Sequence, residues 1–116
     1  MATSVGFGGV DQYIIEKAQQ YNLPVNLVLG IAICESGLNP EAHNPKDVNG
    51  LPDFGLWQFQ KKTFYGQGGK RIWDWKEQTN ITMKMLKKDM WLHWPVCFKR
   101  MIKEINDHNS KLIGGV

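Results

Sequence analysis

A chain of 116 residues with 42% hydrophobic and 22% charged residues has the size and composition of one globular domain. Its longest mainly apolar run, residues 23–34, is too short and too interrupted to span a bilayer, which excludes an integral membrane segment there. The net charge of +3 modestly favours an anionic partner, but charge alone does not choose between nucleic acid and an acidic cell-wall polymer.

The first half of the chain contains two predicted helices. The glycine-rich residues 1–10 are expected to form a flexible lead-in, with Asp11 as the N-cap of a helix over about 12–21. Pro24 separates this helix from a second one over 25–36. The second helix is apolar on almost every side, so we expect it to be buried on most sides.

The second half begins with a long irregular connection. Residues 37–54 are rich in Asn, Pro, Asp and Gly, and loops of this length in compact domains are often functional. Residues 61–66 are predicted to form a helical turn, and longer helices are predicted over about 76–93 and 96–107. Residues 109–116 are expected to be a flexible tail. The fold class is therefore predicted to be mainly α, in a single domain over the whole chain.

Glu35 ends the apolar second helix and is the strongest candidate for chemistry. Burial and the partial negative charge of a helix C-terminus both disfavour an ionised carboxylate, so we expect a raised pKa. A glutamate of this kind holds its proton near neutral pH and delivers it to a leaving oxygen as a general acid. Position alone leaves a second interpretation open, in which the carboxylate turns to solvent or caps a neighbouring amide.

Three short motifs in this order resemble the lytic transglycosylase branch of the lysozyme superfamily, of the soluble lytic transglycosylase (SLT) type. They are Glu-Ser-Gly-Leu-Asn-Pro at 35–40, Gly-Leu-Trp-Gln at 55–58 and Asn-Ile at 80–81. The resemblance extends from about residue 11 to residue 98 and implies a lysozyme-like domain with little or no β-sheet. It also implies cleavage of the MurNAc–GlcNAc β-1,4 bond of a peptidoglycan glycan strand by a single glutamate, here Glu35. That residue first protonates the glycosidic oxygen and then deprotonates the muramyl 6-hydroxyl, which gives a 1,6-anhydro sugar.

The same resemblance implies several substrate contacts. It assigns Gln58 to a hydrogen bond with the substrate and Ser36 to orienting Glu35. The family's usual tyrosine motif has no counterpart here, and the candidates for an aromatic surface in its place are Tyr65, Trp91 and Trp94. Three further tryptophans occupy predicted loop or edge positions, where this side chain more often stacks on a sugar face than fills a core: Trp57, Trp73 and Trp75.

Two alternatives to this mechanism remain open. Most glycosidases flank the scissile bond with two carboxylates, so a hydrolytic lysozyme would need a partner for Glu35. Asp47 and Asp53 precede the Gly-Leu-Trp-Gln segment and are the candidates, although aspartate is also common in turns. The other alternative is a peptidoglycan-binding module without turnover.

The two cysteines leave two redox states open, because free thiols and one disulfide are both compatible with the residues alone. Cys34 beside Glu35, together with Trp-Pro-Val-Cys at 94–97, resembles the resuscitation-promoting-factor type of cell-wall hydrolase. This resemblance implies a Cys34–Cys97 disulfide and an extracytoplasmic location, in the envelope, in the periplasm or secreted. No export signal is visible in the sequence.

The expected partner is the glycan strand, and the expected oligomeric state is a monomer. A nucleic-acid partner is not expected, because the basic and aromatic segment 61–71 lacks the strand–glycine–helix order of a phosphate loop. The three histidines are scattered without metal-ligand spacing, so the sequence predicts no metal site and no cofactor.

Overall fold

A computed structural model describes residues 9–112. These residues form five α-helices, a short 3₁₀ turn and one two-stranded sheet. In chain order the elements are α1 (Val10–Gln20), α2 (Val25–Ser36), β1 (His43–Asn44), β2 (Asp53–Phe54), α3 (Lys61–Gly66), α4 (Trp75–Lys87), the 3₁₀ turn Trp91–His93 and α5 (Pro95–Leu112). The prediction of a mainly helical domain with very little sheet is confirmed. No helix in this part of the chain is both long and apolar enough to cross a membrane.

The start of α1 differs from the prediction. Gly9 is the N-cap, in the left-handed region at φ 82°, and its carbonyl accepts from the Tyr13 N–H at 3.0 Å. Asp11 is therefore not the cap but lies in the first turn, where a negative charge is favourable beside the helix N-terminus. The predicted lead-in lies outside the described residues over 1–8.

The end of α4 also differs from the prediction, because the helix stops at Lys87 instead of continuing to residue 93. Asp89 adopts φ 60°, and the Met90 N–H donates to the Met85 carbonyl at 3.0 Å. These features form a Schellman motif in which aspartate stands where glycine is usual. The end of the helix is therefore not marked by a glycine in the sequence. At the other end of the chain α5 continues to Leu112, four residues into the predicted tail, whose residues 113–116 lie outside the described part.

The core lies around α2, which packs against both α1 and α5. Its apolar sides explain this position, and its buried residues include Val28 and Ile31. Gly30 allows a close approach to α5, because a Cβ at this position would collide with the side chain of Met101. A Cys34–Cys97 disulfide joins the same two helices, with 5.7 Å between the Cα atoms.

The small sheet fixes which side chains share a face. His43 pairs with Phe54 and Asn44 pairs with Asp53 in antiparallel register. Because successive side chains of a strand point to opposite faces, the Asn44–Asp53 pair lies on one face and the His43–Phe54 pair on the other. The hairpin therefore presents a polar face, whose residues line a hollow of the surface, and an aromatic face, on which Trp73 packs.

Candidate active site

A cleft of about 390 Å³ is bordered by the end of α2, the β1–β2 hairpin and the start of α5. It brings together seven residues named above as candidates, namely Cys34, Glu35, Asp47, Asp53, Gln58, Trp94 and Cys97. The complete lining consists of Cys34, Glu35, Asn44, Asp47, Val48, Asp53, Gln58, His93, Trp94, Pro95, Val96, Cys97 and Arg100.

Glu35 is the next-to-last residue of α2, and the local sequence holds it there. Gly37 ends the helix at φ 65°, a conformation that glycine adopts without steric cost, and its N–H donates to the Ile33 carbonyl at 2.8 Å. Burial raises the pKa of Glu35 to about 7, and the negative charges of Asp53 and Asp47 add to this effect. No salt bridge in the described part of the chain reaches the carboxylate. Glu35 therefore retains its proton up to near-neutral pH.

Asp53 faces the cleft from β2 and is only 6% exposed. Burial raises its pKa to about 6; the neighbouring Asp47 also raises it, whereas Gln60 and Asn44 lower it. The Asn44 side-chain amide lies 3.5 Å from Asp53 Oδ2, as the strand register requires. As the pH rises toward 7, Asp53 therefore loses its proton at a lower pH than Glu35 does.

Ser36 and Gln58 hold the segment that faces Glu35. The Ser36 hydroxyl donates to the Leu56 carbonyl at 2.8 Å, which ties the end of α2 to residues 55–58. Ser36 is not among the residues that line the cleft. Gln58 does line it, and its side-chain NH₂ donates to the carbonyls of Gly55 at 2.9 Å and Ala42 at 3.3 Å. The Gln58 amide is thus fixed by backbone groups, with its NH₂ turned toward the protein.

Neither Trp57 nor Tyr65, both named above as candidates for sugar contacts, lines the cleft. Trp57 is completely buried, and its indole N–H donates to Thr79 Oγ1 at 2.9 Å. It fills the core and has no surface for a sugar. Tyr65 is 46% exposed on α3 but does not line the cleft. Trp94 lines the cleft but is only 2% exposed, and its indole N–H donates to the Trp57 carbonyl at 2.9 Å.

Gln78 explains why Trp57 turns inward, and the sequence analysis missed it. Its side chain is fully buried in α4, accepts from the Trp57 N–H at 2.9 Å and donates to the carbonyls of Phe54 at 2.9 Å and Ile72 at 2.6 Å. Gly55 makes room for it, because a Cβ there would lie 2.5 Å from Gln78 Nε2. A signal was present in the sequence, since Gln78 lies one and two helical turns before inward-facing apolar residues of α4.

We expect Gln78→Leu to lower the free energy of unfolding by about 3 kcal/mol, because it leaves the buried Trp57 N–H and Ile72 carbonyl without their partner and removes one of the two bonds to the Phe54 carbonyl. Urea denaturation followed by circular dichroism measures the loss. The matched control is Gln19→Leu, which changes an exposed glutamine of α1. Equal stability of the two variants would contradict the role assigned to Gln78.

The wall opposite the hairpin comes from the start of α5 and the residues before it. Burial lowers the pKa of His93, so its imidazole is neutral at neutral pH. Arg100 brings a positive charge to the cleft, and its guanidinium Nη1 lies 3.5 Å from Cys34 Sγ. Within residues 9–112 no group of three or more His, Cys, Asp or Glu side chains is arranged to hold a metal ion. The polar side chains that line the cleft are thus carboxyl groups, one guanidinium, one imidazole, one indole N–H and amides.

The raised pKa of Glu35 predicts a pH-dependent stability. The pKa is about 7 in the folded protein against an ordinary 4.5, so the folded protein binds this proton more tightly than the unfolded chain. The resulting stabilisation is complete below the pKa that Glu35 has in the unfolded chain, and it is lost as the pH rises through the pKa that Glu35 has in the folded protein. We therefore expect Glu35→Gln, which stays neutral, to raise the free energy of unfolding by about 2 kcal/mol near pH 8 and to change it little near pH 4.

Urea denaturation at the two pH values measures this difference. Glu104→Gln, on an exposed position of α5, is the matched control and should show no such pH-dependent gain. A stability change of Glu35→Gln that is the same at both pH values would contradict the burial of a proton-holding carboxyl.

A family model described as the transglycosylase SLT domain matches residues 12–88. The matched span contains Glu35, the β1–β2 hairpin and Gln58, whereas the α5 wall of the cleft lies beyond it. No curated protein and no solved structure matches the chain. The likeness of the cysteine pair to resuscitation-promoting factors stays a prediction, although the structure contains the disulfide itself.

Proposed function

Because the chain belongs to the transglycosylase SLT domain family, we propose that it cleaves the β-1,4 bond between MurNAc and GlcNAc in peptidoglycan, with Glu35 as acid and base. The observation that carries this proposal is a half-buried carboxyl with a pKa of about 7 at the edge of a cleft of about 390 Å³. A general acid works best when its pKa lies near the working pH, and Glu35 meets that condition.

The proposed reaction needs only one proton shuttle. Neutral Glu35 donates its proton to the glycosidic oxygen as the bond from that oxygen to the muramyl C1 breaks. The carboxylate formed then accepts the proton of the 6-hydroxyl of the same muramyl residue, and the 6-oxygen forms a bond to C1. The products are a free 4-hydroxyl on GlcNAc and a 1,6-anhydro-muramyl end, and Glu35 is neutral again. Water does not enter the balance.

The neighbouring aspartates support this cycle through their charges. Asp53 and Asp47 both raise the pKa of Glu35, so they help it to keep its proton before the reaction. Asp53, with a pKa of about 6, is mainly ionised at neutral pH. Its negative charge also favours the oxocarbenium-like transition state of glycosidic cleavage, in which C1 becomes positive. In this proposal Asp53 acts electrostatically and forms no bond to the sugar.

Gln58 is the proposed contact for the sugar substituents. Its NH₂ group is engaged with the carbonyls of Gly55 and Ala42, so its amide oxygen is the atom left to accept from a hydroxyl or an acetamido N–H. Ser36 acts one step further back, because its bond to the Leu56 carbonyl keeps the segment of Gln58 beside the end of α2. Ser36 is therefore a positioning residue in this proposal.

The proposed place of action is outside the cytoplasm, and the proposed working form is a monomer. Peptidoglycan lies outside the cytoplasm, and a disulfide between Cys34 and Cys97 persists most readily in an oxidising compartment. One chain already brings together the carboxyl groups, the amides and the guanidinium of the cleft, so the proposed cycle calls on no second copy.

Hydrolysis is the second candidate, because Asp53 lines the same cleft as Glu35. In that reaction Asp53 would be the nucleophile or base that most glycosidases place across from the acid. Digestion of purified peptidoglycan separates the two by the masses of the released sugars. We expect anhydro-muramyl ends, lighter by one water than reducing ends. Reducing ends would favour hydrolysis, and binding without any release would leave only a glycan-binding module.

A further inference from the structure

A second hollow lies beside Trp73, which packs on the aromatic face of the β1–β2 hairpin. It has a volume of about 470 Å³ and is lined by Pro40, Glu41, Trp73 and Trp75. The hairpin separates it from the cleft, because Asn44 and Asp53 line the cleft whereas the paired His43 and Phe54 face the side of Trp73. The two hollows share no lining residue.

Trp73 is held in place although about half of it is exposed. Its ring centroid lies 5.5 Å from that of Phe54 and 6.2 Å from that of His43, and both contacts are T-shaped. The side chain is nevertheless 49% exposed. A single exposed indole is common, but Trp73 and Trp75 line one hollow together, and a contiguous apolar patch marks a binding groove more often than a lone side chain does.

Trp75 supplies the second indole, also from a fixed position. It is the first residue of α4, whose N-cap Asp74 accepts from the N–H groups of Lys76 and Glu77 at 3.0 Å. Its ring packs edge-to-face on Tyr13 at 5.3 Å. Both indoles are therefore oriented before any ligand arrives, which lowers the entropic cost of binding.

The chemistry of this hollow fits a sugar. The pyranose rings of a β-1,4-linked glycan present C–H groups on their faces, which pack on indole surfaces, and hydroxyl and amide N–H groups at their rims. The Glu41 carboxylate accepts hydrogen bonds from such rim groups, whereas it would repel a phosphate backbone. A wholly apolar partner surface would leave this carboxylate desolvated and unpaired.

We propose that the Trp73–Trp75 hollow is a second glycan-binding site, separate from the cleft, for a β-1,4-linked strand that contains GlcNAc. The inference rests on the proposed function for the identity of the polymer. Asn44 and Asp53 line the cleft, whereas Trp73 of the hollow packs on the neighbouring strand residues His43 and Phe54, so the two sites adjoin opposite faces of one hairpin. Two linked contacts keep an enzyme on an insoluble polymer longer than one contact does.

The first test observes each site directly in the Glu35→Gln protein, so that the probe stays intact. The probe is a β-1,4-linked GlcNAc tetramer, added to ¹⁵N-labelled protein. We expect the indole N–H signals of Trp73 and Trp75 to shift and to saturate, independently of the backbone signal of Asn44 in the cleft. A cleft that responds while both indole signals stay fixed would overturn the inference and leave the proposed function standing. Indole shifts without a cleft response would support the inference and count against the function.

The second test measures retention on purified peptidoglycan sacculi in the same Glu35→Gln background. Trp73→Ala is expected to weaken retention about tenfold, Trp73→Phe to weaken it less, and Leu92→Ala, which changes an exposed residue in neither hollow, to leave it unchanged. With Glu35 present, Trp73→Ala should slow the clearing of sacculi but cleave a soluble tetrasaccharide muropeptide at the parent rate. Equal retention of Trp73→Ala and its parent on sacculi would overturn the inference. An equal loss of cleavage rate on sacculi and on the soluble muropeptide would also overturn it, because such a loss indicates damage to the fold.

Discussion

Glu35→Gln is expected to lower the rate of glycan cleavage by about 10³-fold or more, because the amide neither donates a proton to the glycosidic oxygen nor accepts one from the 6-hydroxyl. Glutamine has nearly the same shape and is neutral like the protonated glutamate, so the cleft should keep its form. Release of soluble muropeptides from purified peptidoglycan, quantified by liquid chromatography with mass detection, measures the loss. Retention of the variant on sacculi shows that substrate binding survives.

Asp53→Asn is the matched control for this prediction, because it also replaces a carboxylate of the same cleft by an amide. The charge of Asp53 helps to raise the pKa of Glu35, so its removal should move the alkaline limb of the pH–rate profile to lower pH. The products should remain anhydro sugars. If Asp53→Asn instead abolishes cleavage as fully as Glu35→Gln, and the parent yields reducing ends, the single-glutamate proposal fails in favour of hydrolysis. Full activity of Glu35→Gln would contradict both.

The position of Glu35 could be predicted because local signals determine it. The apolar run over 25–34 forms a helix buried on most sides, and Gly37 ends that helix two residues after the glutamate. The bounds of α2 therefore agree with the prediction residue for residue. A raised pKa follows from the same two features, burial and a helix end, and the structure adds the charges of Asp53 and Asp47 as further causes.

The direction of Trp57 could not be predicted, because it depends on residues far along the chain. The inward turn of its segment needs the buried amide of Gln78 and the absence of a side chain at Gly55. Similarly, the approach of Asp53 to Glu35 depends on the pairing of β2 with β1, strands of two residues each that carry no periodic signal. Local pattern thus indicated the position of Glu35, whereas long-range contacts decided its neighbours.

Removal of the Cys34–Cys97 disulfide is expected to cost about 4 kcal/mol, because the bond closes a loop across a sequence separation of 63 and so restricts the unfolded chain. For a domain of this size the melting temperature should fall by about 15 °C in the double variant Cys34→Ala/Cys97→Ala. Activity should fall as well, since both cysteines line the cleft and Cys34 precedes Glu35 directly. Thermal unfolding followed by circular dichroism, with and without reductant, measures the first effect.

The reductant separates the role of the bond from the role of the side chains. Reduction of the parent protein should lower its melting temperature by nearly the same amount, and it should add two hydrogens to the intact mass. The double variant should not respond to reductant at all. If the mass shows that the parent is reduced but its melting temperature does not change, loop closure does not stabilise the protein. Packing, such as that of Met101 on Gly30, would then hold α2 and α5 together without help from the bond. In that case the disulfide would serve only to fix the wall of the cleft beside Glu35, and a loss of activity at unchanged stability would measure that effect.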